Sequence, residues 1–403
     1  MAELTGKRIL LGLTGGIAAY KAAELARLFV KEGADVQSVM SEAACRFITP
    51  LTLQALTGKP VFTSMWDSRT ANGMPHIELS RDRDLIVVAP ATADFMARLV
   101  HGAADDLLAA LCLARECPLI IAPAMNRQMW ENPATQRNVE RLGRDGVIVA
   151  GPGSGDQACG ETGMGRMAEP EEIVEAAIAW FQPKLLAGAR VLVTAGPTYE
   201  PIDAVRGITN LSSGRMGYAV ARAALEAGAQ VTLVTGRTGL EPPNGAAVVH
   251  VVTAEEMLDA VLRQIDRCDI FIGVAAVADY RVANPQEHKI KKDGALPTLE
   301  LARTPDILEA VARRPNAPFC VGFAAETHDL ARYAQEKRRK KKIPLLAANP
   351  VQTSLGTEDN ELLLFDDDGM HRLERSRKLD QARGLIRHIA KLYKPSRATV
   401  TVR

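Results

Sequence analysis

A chain of 403 residues is longer than one ordinary hydrophobic core organises and has the length of two domains. Apolar residues make up 47% of it, which excludes disorder as its default state. The 49 Lys and Arg balance 48 Asp and Glu to a net charge of +1, which excludes a global field drawing the chain to nucleic acid or an anionic membrane. Cys45, Cys112, Cys117, Cys159, Cys268 and Cys320 form neither a disulfide framework nor a paired zinc spacing. The opening MAELTGKRILLGLTGG lacks a signal-peptide core, and no apolar run approaches the ~18 residues of a membrane span, so a reduced, cytoplasmic setting is expected.

In chain order, residues 7–13 read as a short buried strand, Gly15 and Gly16 as the turn after it, and 17–31 as an Ala-rich helix closed by Gly33. Strand signals recur at 36–40, 85–89, 119–122 and 147–149, with helical stretches at 94–100, 105–114 and 134–142 between them. Such alternation predicts a mostly parallel sheet covered by helices. The glycines of 151–165 predict a loop, and 171–181 resumes as a helix before Pro183 and Gly188, so the expected domains are 1–188 and 189–403. From Arg190 the pattern restarts: RILLGLTGG resembles RVLVTAGP, EGADVQSVM resembles EAGAQVTLV, and RDLIVVAPATAD resembles CDIFIGVAAVAD. The expected fold class is α/β, two Rossmann-like doubly wound domains. Convergence on nucleotide-binding turns explains the likeness between halves as well as duplication does, so it supports fold and not ancestry. Two charge clusters, 337–342 and 366–369, read as local features of the second domain.

Candidate chemistry begins at LTGGIAAYK, where a strand, a turn and a helix start aim backbone N–H groups at a phosphate or polar cofactor edge. Its glycines are out of register for GxGxxG. Thr92, in APATAD, lies just past another strand's carboxyl end, so two loops could share one ligand. His76 in GMPHIELS, Asn126 in APAMNRQMW and Cys159 in GSGDQACGETGMG each have a bland reading alone: a core imidazole, a helix cap, a small buried hydrophobe. Together they point to a reaction centre. Gly155, Gly160, Gly163 and Gly165 around Cys159 predict a mobile flap able to close over a substrate.

In the second half, Ser212, Ser213 and Gly214 suit either an anion cradle or a helix cap. GVAAVAD, HKIKK and RTPDIL supply Asp279, Lys289 and an Asp306 beside Pro305, a polyphosphate and base site in outline. Lys337 and Lys341 share one helix face, and an aromatic content of 4% argues against base stacking on nucleic acid.

LTGGIAAYK, APATAD, PAMNRQMW and ACGE resemble the flavin-containing cysteine decarboxylases, and GPTYEPIDAVRGITNLSSGRMG resembles bacterial phosphopantothenate:cysteine ligase. In this order, across essentially the whole chain, they resemble the bifunctional decarboxylase/ligase family of coenzyme A biosynthesis. The resemblance implies a C-terminal domain that condenses phosphopantothenate with cysteine through an acyl-cytidylate made from CTP. It implies an N-terminal domain that decarboxylates phosphopantothenoylcysteine to phosphopantetheine with FMN. FMN is then held by Gly15, Gly16, Ile17, Ser41, Ala91, Thr92 and Ala93, with Cys159 as proton donor, His76 in proton transfer or substrate activation and Asn126 on the carboxylate. CTP is held by Gly273, Val274, Ala275, Asp279, Lys289, Thr304, Pro305, Asp306, Ile307, Phe323, Lys337 and Lys341, with Lys289 also catalytic. Asn210 orients the acyl group, and Ser212, Ser213 and Gly214 belong to the phosphopantothenate side. Mg2+ bridges the phosphates, with Asp279 the candidate protein ligand. The resemblance further implies a homo-oligomer, trimers of the first domain and dimers of the second combined as a dodecamer, with no nucleic-acid or membrane partner.

Two rival readings differ in class. A NAD-dependent oxidoreductase requires an acidic residue ending the second strand, where the chain has Met40 and Ser41 in one half and Thr235 and Gly236 in the other. A non-catalytic flavin-binding regulatory protein does not require His76, Asn126 and Cys159 together.

Overall fold

Apolar runs bounded by glycine turns become buried strands. In β1 (Arg8–Leu13) and β2 (Asp35–Met40) every residue but the first is buried, and all of β3 (Leu85–Ala91) is. With β4 (Leu119–Pro123) and β5 (Ile148–Val149) they form a parallel sheet in the order β2-β1-β3-β4-β5. Strands buried on both faces need helices on both. α1 (Lys21–Lys31) packs against α2 (Pro50–Thr57) and α8 (Pro170–Phe181), closing a core that includes Leu11, Leu25, Phe29 and Ile173. On the other face α4 (Ala93–His101) meets α5 (Leu107–Ala114) and α7 (Pro133–Arg144) over Leu10, Val88, Phe95 and Leu108. Gly12 lets α5 approach this closely: a Cβ there would stand 2.5 Å from Leu108 Cδ1.

Contacts divide the chain into two units, Met1–Phe181 and Gln182–Arg403, in a computed structural model that describes residues 2–70, 73–158, 160–290, 298–326, 330–350 and 359–394. Leu186, buried at 2% exposure, packs in the second unit's core, and its amide donates to Ala227 O at 2.9 Å.

Two local expectations are corrected. Residues 17–31 are not one helix: Ile17–Tyr20 is a tight 3-10 turn, and α1 follows it. The expected loop at 151–165 holds a hairpin, β6 (Gly153–Asp156) with β7 (Thr162–Arg166). Extended backbone at positive φ, 153° at Gly155, 152° at Gly163 and 124° at Gly165, is open to glycine alone, so residues that read as loop formers build strands.

The second unit's eight-stranded sheet has the order β12-β11-β8-β13-β16-β17-β18-β19. Its parallel part comprises β8 (Arg190–Ala195), β11 (Gln230–Thr235), β12 (Ala247–His250), β13 (Ile270–Gly273), β16 (Phe319–Glu326) and β17 (Leu345–Pro350). β18 (Asp359–Phe365) and β19 (Met370–Arg377) continue it antiparallel. Small hairpins flank it: β9 (Tyr199–Pro201) with β10 (Gly207–Thr209), and β14 (Tyr280–Val282) with β15 (Leu301–Arg303). α9 (Arg215–Glu226) and the closing helix Lys378–Leu392 cover one face. They are joined by a buried ion pair, Arg383 Nε to Glu226 Oε2 at 2.7 Å. α10 (Ala254–Gln264), α11 (Ile307–Ala312) and α12 (Leu330–Lys341) cover the other. Among the described residues no helix is long and apolar enough to cross a membrane.

Candidate functional sites

The chain leaves β1 for the sheet's edge at β2 and returns past β1 to β3, so the loops after β1 and β3 part in opposite directions and open a crevice at the strands' carboxyl ends. Thr14, 3% exposed, ties them together: its Oγ1 donates to Pro90 O at 2.7 Å and accepts from Thr92 N at 3.0 Å. Thr92 Oγ1 in turn caps α4 through Phe95 N at 3.2 Å. Ser41 N donates to Leu13 O at 2.9 Å, bringing the loop after β2 alongside. Gly15 packs so closely there that a Cβ would lie 2.4 Å from Ala43 Cβ, whereas a Cβ at Gly16 would meet Thr92 Cγ2 at an ordinary 4.0 Å, and Ile17 is 62% exposed. Gly15, Gly16, Ile17, Ser41, Ala91, Thr92 and Ala93 therefore converge on one edge of the sheet.

Asn126 follows β4 at the same edge. Its Oδ1 caps α6 (Arg127–Glu131) through Met129 N at 3.1 Å, and its Nδ2 donates to Gln128 Oε1 at 2.7 Å. The β6–β7 hairpin folds onto this corner. Met125 N donates to Gly165 O at 2.9 Å, Gln157 Oε1 accepts from Arg127 N at 3.0 Å, and Gln128 Nε2 donates to Glu161 Oε1 at 2.8 Å. The hairpin's connecting segment carries Cys159, which lies outside the described residues. His76 is the second residue of α3 (Pro75–Ser80), half-buried, on a helix packed against α5. None of the described hydrogen bonds joins it to Asn126 or to the Gly15 turn.

In the second unit a cleft of about 990 Å³ opens at the strands' carboxyl ends. Its lining brings together Asn210, Ser212, Ser213, Gly214, Gly273, Val274, Ala275, Asp279, Thr304, Pro305, Asp306, Ile307, Phe323, Lys337 and Lys341. Asn210 Nδ2 donates to Ala276 O at 2.9 Å, and Thr304 N donates to Asp279 O at 3.1 Å, which fixes the two loops on either side. Gly214, at φ 78°, is the residue before α9, and a Cβ there would come 2.7 Å from Thr238 Cγ2. Lys341 pairs with Asp306, whose Oδ1 also accepts from Glu309 N at 3.0 Å. Burial pushes the Asp306 carboxyl up, but Lys341 and the Glu309 amide outweigh it and hold the group below the usual carboxylate range. Lys289 is exposed and does not line the described cleft. Its neighbour Ile290 is anchored by the buried Asp203, whose Oδ2 accepts from Ile290 N at 3.1 Å and from Arg206.

The family model described as Flavoprotein matches residues 1–182, and that of the DNA/pantothenate metabolism flavoprotein C-terminal domain matches 186–393. The coenzyme A biosynthesis bifunctional protein CoaBC of Vibrio vulnificus is 48% identical over 398 residues, covering 97% of this chain and 99% of that one. The chain belongs to the coenzyme A biosynthesis bifunctional protein family. CoaBC of Escherichia coli is 47% identical over 93% of this chain and 95% of its own, and that of Bacillus subtilis 42% over 97% and 98%. Among solved structures, a CoaBC C-terminal domain is 38% identical, covering 52% of this chain and 97% of that one, with a TM-score of 0.46. The FMN-dependent cysteine decarboxylase SpaF is 32% identical over 43% and 96%, with a TM-score of 0.39.

In this CoaBC-family chain, Thr14 and Thr194 also shape the two sites, though the sequence alone does not single them out. Thr194 Oγ1 accepts from Ala275 N at 3.3 Å and lines the cleft, as do Lys340 and Lys378. The legible signal was a polar residue placed in or just after an apolar strand.

Proposed function

We propose that residues 189–403 join phosphopantothenate to cysteine at the expense of CTP, and that residues 1–188 decarboxylate the product with FMN. The observation that carries the ligase reading is the cleft, whose lining combines a glycine-started helix and Asn210 with three lysines, Lys337, Lys340 and Lys341. The lysines suit a triphosphate, and the start of α9 with Ser212 and Ser213 suits the phosphate of phosphopantothenate. The substrate carboxylate attacks the α-phosphate of CTP, pyrophosphate leaves, and the cysteine amine then displaces CMP from the acyl-cytidylate. Lys289, tethered through Ile290 to Asp203, is assigned to neutralising charge on the reacting phosphate. Asp279, Asp306 and Glu309 line the cleft but form no three-ligand cluster among the described residues, which fits a Mg2+ carried chiefly by the phosphates.

The residues of the first unit fit FMN. Glycine leaves space at Gly16 beside Thr92, the exposed Ile17 offers apolar surface to a ring, and backbone amides line the turn. FMN held there would supply a reversible two-electron acceptor for the CH2–SH carbon, so that the electrons CO2 leaves behind have a thioaldehyde sink and no net redox equivalent is consumed. Asn126 orients the carboxylate, Cys159 delivers a proton to carbon, and His76 relays a proton or activates the substrate. Unit 1 exposes Tyr20, Leu51 and Trp66, apolar groups that a subunit contact would cover, which supports an oligomer of this unit; its being a trimer, with dimers of the second unit and a dodecamer, rests on the resemblance alone.

Incubation with phosphopantothenate, cysteine, Mg2+ and CTP should release both pyrophosphate and CO2, and Lys341→Met should lower kcat/KM for CTP by about 10- to 100-fold, the worth of one charged phosphate contact. Pyrophosphate release that is indifferent to Lys341 contradicts the nucleotide assignment.

A further inference from the structure

The turn from β18 to β19 gathers three donors that neither proposed activity uses. Asp366 is 2% exposed, and its Oδ1 accepts from Asp368 N at 2.9 Å and Gly369 N at 3.1 Å, which locks the carboxylate in place. His388 Nε2, from the closing helix, lies 2.7 Å from Asp366 Oδ2, and His371 Nε2, from β19, lies 3.1 Å from the same carboxylate. The two rings are 4.6 Å apart between centroids, and one ligand atom from each of the three residues lies within 4.8 Å of the others.

We propose that Asp366, His371 and His388 form a zinc-type metal site that ties the closing helix to the β18–β19 hairpin. Two imidazoles and a carboxylate are the donors of a borderline cation such as Zn2+; Mg2+ and Ca2+ select oxygen. Ligands about 2.0–2.1 Å from a tetrahedral ion stand about 3.3 Å from each other; the two imidazole–carboxylate separations, 2.7 and 3.1 Å, are already close to that, and the two imidazoles, within 4.8 Å, close on the ion by side-chain rotation. The half-exposed side of His371 leaves the fourth position to water. Asp367 and Asp368 add negative charge beside the site, partly offset by Arg338, which donates to Asp367 Oδ1 at 2.8 Å. The site is separate from the nucleotide cleft: Phe365 pairs with Leu346 near the start of β17, whereas Asn349, near that strand's other end, lines the cleft.

Full-length protein stripped with chelator and dialysed against buffered Zn2+, in millimolar Mg2+ with CTP present, should retain one equivalent per chain and unfold at a higher temperature than the stripped form. His371→Asn and Asp366→Asn, checked for native circular dichroism, should each bind Zn2+ at least about 100-fold more weakly and lose that thermal shift. If His371→Asn retains the metal as wild type does, or wild type binds none, the proposal is overturned, and the three groups are a hydrogen-bonded carboxylate between two imidazoles.

Discussion

Thiol chemistry separates the cysteines residue by residue. Burial pushes the thiols of Cys112, Cys268 and Cys320 up to about 12, and raises those of Cys45 and Cys117 too. A raised thiol carries little thiolate at neutral pH and reacts slowly with an alkylating agent. Iodoacetamide at pH 7.5 should therefore modify Cys159 first, with CO2 release lost in step and pyrophosphate release unchanged. Peptide mapping by mass spectrometry checks this. First modification at any of the other five, with the same loss of activity, contradicts the assignment of Cys159. At this scale the sequence was informative on position, as for Thr92, Asn126 and Asp306, polar residues ahead of a helix that each accept from an amide of its first turn. It was silent on Thr14 and Thr194, because a buried hydroxyl serving two backbone partners shows only once the second loop is in place.

At the scale of elements, the hairpin at the first site depends on one contact that glycine alone permits. A Cβ at Gly165 would sit 2.4 Å from Met125 O, a backbone atom that cannot swing away, at a φ of 124°. Gly165→Ala should undock the hairpin from α6, lowering the kcat of decarboxylation at least about 10-fold while FMN remains bound, since the Gly15 turn is untouched. Flavin absorbance alongside CO2 release reads both; loss of flavin with unchanged kcat per bound flavin would refute the hairpin's role. The acid limb of stability belongs to this scale as well. The Arg206 guanidinium holds the Asp203 carboxyl below its usual range, and the Arg190 guanidinium does the same for Asp269 across β8 and β13. A depressed carboxyl contributes stability that is present above its unfolded value, about pH 4, and fades as pH falls through the folded value. Thermal melts should thus show the second unit losing stability below about pH 4, and Asp203→Asn should flatten that loss; an unchanged slope would contradict it.

For the whole molecule, two doubly wound units were legible because parallel strands buried on both faces read as apolar runs between glycine turns. The hairpin was not, since its glycines imitate a loop, and neither was the Asp366, His371 and His388 cluster, whose members are brought together only when the closing helix packs beside β19. Lys289 shows the limit from the other side: its assignment to the nucleotide rests on the resemblance, since it does not line the described cleft and only its neighbour Ile290 is held in place, by Asp203. The central claim is that each unit houses its own reaction. The decisive measurement follows pyrophosphate and CO2 in parallel for Cys159→Ser and Lys341→Met. Cys159→Ser should release pyrophosphate normally, accumulate phosphopantothenoylcysteine and lose CO2 release by about 100-fold or more, while Lys341→Met, supplied with phosphopantothenoylcysteine, should release CO2 at the wild-type rate. If Cys159→Ser lowers pyrophosphate release as well, or Lys341→Met slows CO2 release from supplied phosphopantothenoylcysteine, the two sites do not act as separate catalysts and the account fails.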